Sequence, residues 1–248
     1  MTVSTSCLVH FTKQIDFLVG IIKNGFEVNL CEEKIHFVDE LSPSLFYVPM
    51  VSFCDIPLSS VQEHTHHYGK YGIGLTKDWG IKKGISPVNY IIKKQKNHPN
   101  VLSVSLNDTA AHLKQMIIDS GGKNQSYLEM MRYLSYTKNY CNDTGNPRYD
   151  EDYIYYNERE WRYVPENHDD KQVLPWYYDK DAFKKLGVEM YLGFDSDDIR
   201  YIIVESESDI LHIIETIKEA KGKLGYPKDM INILNSRIIK YDQIINDF

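Results

Sequence analysis

The stretch YYNEREWRYVP, Tyr155 to Pro165, sets Glu158 and Glu160 two residues apart with Arg159 and Arg162 beside them. Read as a strand, it places Glu158, Glu160 and Arg162 on one side and Arg159, Trp161 and Tyr163 on the other. The tryptophan side is then the core side, and the carboxylate row faces outward or into a groove. Such a row suits a cationic, oxocarbenium-like sugar transition state, because fixed negative charge interacts more strongly with the developing cation than with the neutral ground state. Mutual repulsion and Arg162 would tune the two ionisations. The plainer alternative is a solvated strand face whose Glu–Arg pairs are worth ~0–1 kcal/mol each.

A second group with chemical capacity lies near the start. His10 follows the apolar Cys7–Val9, and a neutral imidazole there offers one donor and one acceptor to a ribose hydroxyl or a carboxamide. Further on, Tyr68 and Tyr71 flank Gly69 and lead into the YGIGLT run, where an aromatic face could stack on a flat ring. Core packing is the competing account of Tyr71, and a surface turn that of Tyr68. His64, His66 and His67 suggest metal, yet no third ligand has a convincing spacing beside the His64–His67 pair, so no metal site is expected. Walker, G-x-G-x-x-G, H-E-x-x-H and G-x-S-x-G patterns are missing from the sequence. Cys54 stands at a strand end without any feature that would lower its pKa.

The elements that must carry these residues follow from periodicity. Residues 7–11 read as a strand, Thr12 as a helix cap, and Ile15, Leu18, Val19 and Ile22 as one face of a helix ended by Gly25. Strands are expected at Val48–Phe53, in YGIGLT and PVNYII, in EREWRYVP, and in VEMYLGF and IRYIIVES. Ser206 with Asp209 forms a capping box ahead of Ile210, Ile213, Ile214 and Ile217. From Leu106 to Tyr140 the spacing turns helical. The fold class this implies is α+β, a curved and mostly antiparallel sheet with flanking helices, in a single domain over residues 1–248 with a helical insertion around 106–140. Composition agrees with a globular chain: 248 residues, 42% hydrophobic and 25% charged. The net charge of −7 opposes non-specific attraction to nucleic acid or anionic membrane. No apolar run approaches the ~20 residues of a membrane helix, and no secretion leader is evident, so a cytoplasmic location is expected. The four cysteines are dispersed, which fits buried thiols better than a disulfide framework.

Several segments in this order, LVHFT, IIKNGF, VPMVSFCDIPLS, HYGKYGIGLTKDWGIKKGISPVNYI, NEREWRYVP and DIRYIIVES, closely resemble the AbiGi family of bacterial abortive-infection proteins. That resemblance implies phage resistance and the antitoxin half of a two-protein system, whose partner is a nucleotidyltransferase-like toxin. More distantly, the order histidine, tyrosine, glutamate is similar to the signature of ADP-ribosyltransferases. That similarity implies an ADP-ribosyltransferase-like fold and NAD as cofactor, with ADP-ribose passing to a nucleic-acid or protein acceptor, or NAD simply being hydrolysed, during phage infection. Glu160 and Glu158 would then be catalytic, and His10, Thr12, Tyr71, Tyr68 and Arg162 would hold the cofactor. The sequence departs from that signature at Phe11, where a glycine usually follows the histidine, and it lacks a Ser-Thr-Ser strand.

Overall fold

The computed structural model describes residues 5–38, 41–98, 100–119, 125–165 and 190–247. Strand β1 (Cys7–Thr12) leads into helix α1 (Ile15–Asn24), followed by β2 (Phe26–Glu27), β3 (Asn29–Ile35) and the long β4 (Ser44–Cys54). Next come α2 (Gln62–Tyr68), β5 (Tyr71–Thr76), α3 (Lys77–Lys82), β6 (Ser86–Pro87) and β7 (Asn89–Ile91). Helices α4 (Val101–Asp119) and α5 (Gln125–Ser135) precede β8 (Thr137–Asn139) and β9 (Glu160–Tyr163). The last described part holds β10 (Tyr191–Leu192), β11 (Ile199–Val204), α6 (Glu207–Lys223), α7 (Lys228–Asn235), β12 (Ile238–Lys240) and α8 (Tyr241–Asp247). These residues gather into two compact units, one built from the chain up to Val28, Val51–Ser86 and the C-terminal part, the other from Asn29–Met50 and the stretch from Pro87 onward.

In the first unit β5 is the central strand, antiparallel to β1 on one side and to β11 on the other, with β12 parallel to β11. Register pairs His10 with Ile73 and Thr12 with Tyr71. One face carries Val9 and Phe11, which pack with Cys54, Ile56, Val61, Ile203 and Ile244 of α8. On the other face His10 meets the rings of Phe26 and Phe53, and Trp79 of α3 adds to that aromatic set. Apolar residues three and four apart explain α1: Leu18, Ile21 and Ile22 are buried, and the Gly25 N–H closes the helix on the Ile21 carbonyl at 2.8 Å. The two glycines of YGIGLT admit neighbouring rings, since a Cβ on Gly72 would meet Phe11 and one on Gly74 would meet Tyr201. Both positions serve packing. At Ser206 the capping box is present, with the Asp209 side chain accepting from the Ser206 N–H at 2.8 Å and the Ser206 hydroxyl accepting from the Asp209 N–H at 3.2 Å.

The second unit pairs β3 with Ser44–Met50 of β4 in antiparallel register and β7 with β8 in parallel. Its core consists of Ile35, Phe37, Phe46, Val48, Met50 and Ile91 under Tyr127, Met131 and Leu134 of α5. Both kinds of pairing occur, so this is an α+β protein with mixed sheets. The helical stretch expected at 106–140 is two helices, beginning at Val101 and giving way to β8 at Thr137. Thr12 does not cap α1: it ends β1, and the residue before the helix is Gln14, whose side chain makes no cap bond. The expected strand VEMYLGF is reduced to β10, and its first two residues, Val188 and Glu189, lie outside the described residues.

Candidate functional site

The NEREWRYVP segment does not fold as one strand. Tyr155–Glu158 is a turn of 3-10 helix, Arg159 takes the left-handed conformation (φ 46°, ψ 50°), and the strand begins at Glu160. Arg159 is the one non-glycine residue with positive φ among the described residues. Glu158 at the end of that turn and Glu160 at the start of the strand are both buried. Left-handed geometry costs an L-residue ~1–2 kcal/mol. Arg159→Gly should therefore raise stability by about 0.5–1 kcal/mol, read as a higher midpoint of urea unfolding with an unchanged slope.

Sequence alternation also misassigned the buried face. Glu160 and Arg162 are buried, at 6% and 0% exposure, while Trp161 and Tyr163 are half-buried. Countercharges from elsewhere in the second unit make this arrangement tolerable. The Arg162 guanidinium donates through Nε and Nη2 to both oxygens of Glu160, at 2.7 and 3.2 Å, a two-pronged contact that matches the carboxylate plane. Its Nη1 donates to the Ser135 carbonyl at 2.7 Å, and its Nη2 lies 3.1 Å from Glu33 of β3. Lys138 of β8 bridges the two glutamates, 2.6 Å from Glu158 and 2.9 Å from Glu160, with its ammonium 4.7 Å above the Tyr155 ring. Tyrosines complete the shell. Tyr153 donates to Glu158 at 3.2 Å, and the Glu160 N–H donates to the Tyr90 hydroxyl at 2.9 Å. Asn142 supports them from behind, accepting the Tyr155 hydroxyl at 3.0 Å and donating to the carbonyls of Asn146, Tyr149 and Asp150, so that the polar loop after Cys141 is held in one shape.

The ion pairs described join three carboxylates, Glu33, Glu158 and Glu160, to two cations, Arg162 and Lys138. The imbalance shows in the ionisations. Burial raises the Glu160 pKa, but the Arg162 guanidinium and the Lys138 ammonium outweigh it and hold the carboxyl down at about 2. For Glu33 burial prevails over Arg162, and the Glu160 charge adds to it, so its pKa is raised. Linkage gives opposite signs for the two. Glu160 contributes stability above its unfolded pKa of about 4.3, and this is lost as pH falls toward 2. Glu33 costs stability as pH rises above about 4.3, because the folded state retains the proton longer. Glu33→Gln keeps an acceptor for Arg162 while removing the surplus charge. The melting temperature of that variant relative to wild type should therefore climb steadily between pH 4 and pH 8.

The remaining residues singled out from sequence lie in the first unit. His10 Nδ1 donates to the Ser52 carbonyl at 2.8 Å, and burial lowers its pKa against the opposing effect of that bond. Tyr71 donates to Asp209 at 3.3 Å, and its hydroxyl is pushed up to about 12 by burial and by the nearby Asp209 carboxylate. Tyr68 stacks on His64, with centroids 4.3 Å apart. His10, Thr12, Tyr68 and Tyr71 thus belong to one unit, and Glu158, Glu160 and Arg162 to the other, so neither unit by itself holds the whole set. Lys138, Glu33, Tyr90 and Asn142 were missed from sequence. Only the Cys31-x-Glu33-x-Ile35 alternation on β3 hinted that one of these four faces inward.

Comparison with known proteins places this α+β chain among phage-resistance proteins. A family model described as "Putative abortive phage resistance protein AbiGi, antitoxin" matches residues 24–205. The chain belongs to the AbiGi family. A protein named abortive phage resistance protein AbiGi from Lactococcus lactis subsp. cremoris is 28% identical over 223 residues, spanning 82% of this chain and 90% of that relative. No solved structure matches. Among the described residues no helix is long and apolar enough to cross a membrane.

Proposed function

We propose that this protein is the antitoxin of a two-component abortive-infection system and that it acts by binding its cognate toxin, not by chemistry of its own. The family match over residues 24–205 carries this reading. The state of the carboxylates supports it. Glu160, the residue best suited by sequence to stabilise a sugar cation, has both oxygens engaged by Arg162 and Lys138 and is 6% exposed. A carboxylate so neutralised has little negative charge left to offer a transition state. The toxin is proposed to be a nucleotidyltransferase-like protein encoded in the same operon, and the complex to form in the cytoplasm.

The test is co-expression. Inducing the neighbouring toxin gene alone should arrest growth, and inducing this gene with it should restore growth, with the two proteins co-purifying. Growth that stays arrested while this protein accumulates in soluble form would overturn the proposal. So would release of nicotinamide from NAD by the purified protein.

A further inference from the structure

One lysine differs from the rest in its surroundings. Lys221, in the last turn of α6, is 5% exposed. Its Nζ lies 5.5 Å from the centre of the Phe194 ring and 5.6 Å from that of Tyr226, and it forms no ion pair among the described residues. The one carboxylate that influences it among the described residues, Asp195, accepts the Tyr226 hydroxyl at 3.4 Å. Two ring faces replace water around the amine, and ring quadrupoles compensate an ammonium less well than a carboxylate does. Burial accordingly lowers the Lys221 pKa, with Asp195 opposing. Lys70 and Lys240, which hold direct bonds to carboxylates, are raised instead.

We propose that Lys221 is a covalent modification site, a nucleophilic amine that accepts the acyl group of a small activated donor such as an acyl phosphate. A desolvated lysine beside aromatic rings carries more neutral amine at neutral pH than an exposed one, and the neutral amine is the nucleophile. In the step, the Nζ lone pair bonds to the acyl carbon, the bond from that carbon to the phosphate oxygen breaks, and phosphate leaves with the electron pair. The surplus proton on nitrogen passes to water. The product is a neutral amide, so modification removes the positive charge that faces Phe194, Tyr226 and the C-terminal end of α6. Near-complete burial favours a small donor over one on a bulky carrier.

The experiment treats the folded wild-type protein with acetyl phosphate at neutral pH and follows each lysine by peptide mass spectrometry. Lys218, exposed on the same helix, is the internal reference. Acetylation of Lys221 should run on the order of tenfold faster than that of Lys218. The advantage should vanish in urea and shrink as pH rises and exposed amines lose their protons. Equal or slower labelling of Lys221 in the folded protein would overturn the proposal.

Discussion

Replacing Arg162 with methionine is expected to destabilise the protein by about 3–5 kcal/mol, because it leaves a buried charge without its partner. The arithmetic of the cluster explains the size. Arg162 is fully buried, satisfies both oxygens of Glu160, pairs with Glu33 and caps the Ser135 carbonyl. Without it, Glu33 loses its ion pair and Glu160 loses its two-pronged contact, keeping Lys138. In a chain of this length each kcal/mol moves the melting temperature by about 2–4 °C, so the loss should approach 10 °C or more. The single variant should also lose stability as pH rises above about 4.3, since burial raises the Glu160 pKa and Arg162 no longer opposes it. Changing Glu160 and Arg162 to methionine together should recover most of the loss. The buried Glu160–Arg162 pair leaves as a unit, and Lys138 keeps its ion pair with Glu158.

A backbone position produces the other large effect. Gly69 ends α2 with φ 99° and ψ 173°, a conformation open essentially to glycine alone. A Cβ there would strike the Thr12 carbonyl group and would lie 2.5 Å from the Lys13 Cα, so it meets backbone that no rotamer change can clear. Gly69→Ala should cost more than ~3 kcal/mol and separate α2 from the end of β1. The expected sign is a collapse of soluble yield and loss of near-ultraviolet dichroism. Gly222→Ala is the contrasting control: it sits inside α6 with open space around its Cα, and should gain about 0.5–1 kcal/mol.

Much of the first unit was legible in its sequence. The YGIGLT and IRYIIVES strands, the helix stopped at Gly25 and the Ser206–Asp209 box all announce themselves through local periodicity and capping chemistry. The family resemblance was legible as well. The candidate site was not. Alternation in NEREWRYVP shows that two faces differ but cannot say which one is buried, and apolar content favoured the tryptophan side. That choice fails because Lys138 and Glu33 bring compensating charge from β8 and β3, partners that no local pattern reveals. The left-handed Arg159 was hidden for a related reason: strain at one residue is tolerated when the ion pairs on both sides of it over-determine the chain.

On the function proposed above, the Glu160–Arg162 cluster builds the fold while toxin binding performs the function. This is tested by growth rescue with the double variant Glu160→Met, Arg162→Met against the proposed cognate toxin, alongside its melting curve. A variant that melts within a few degrees of wild type and restores growth to the same extent agrees with the account. One that melts like wild type but leaves cells arrested would mean that these side chains act on something beyond the protein itself.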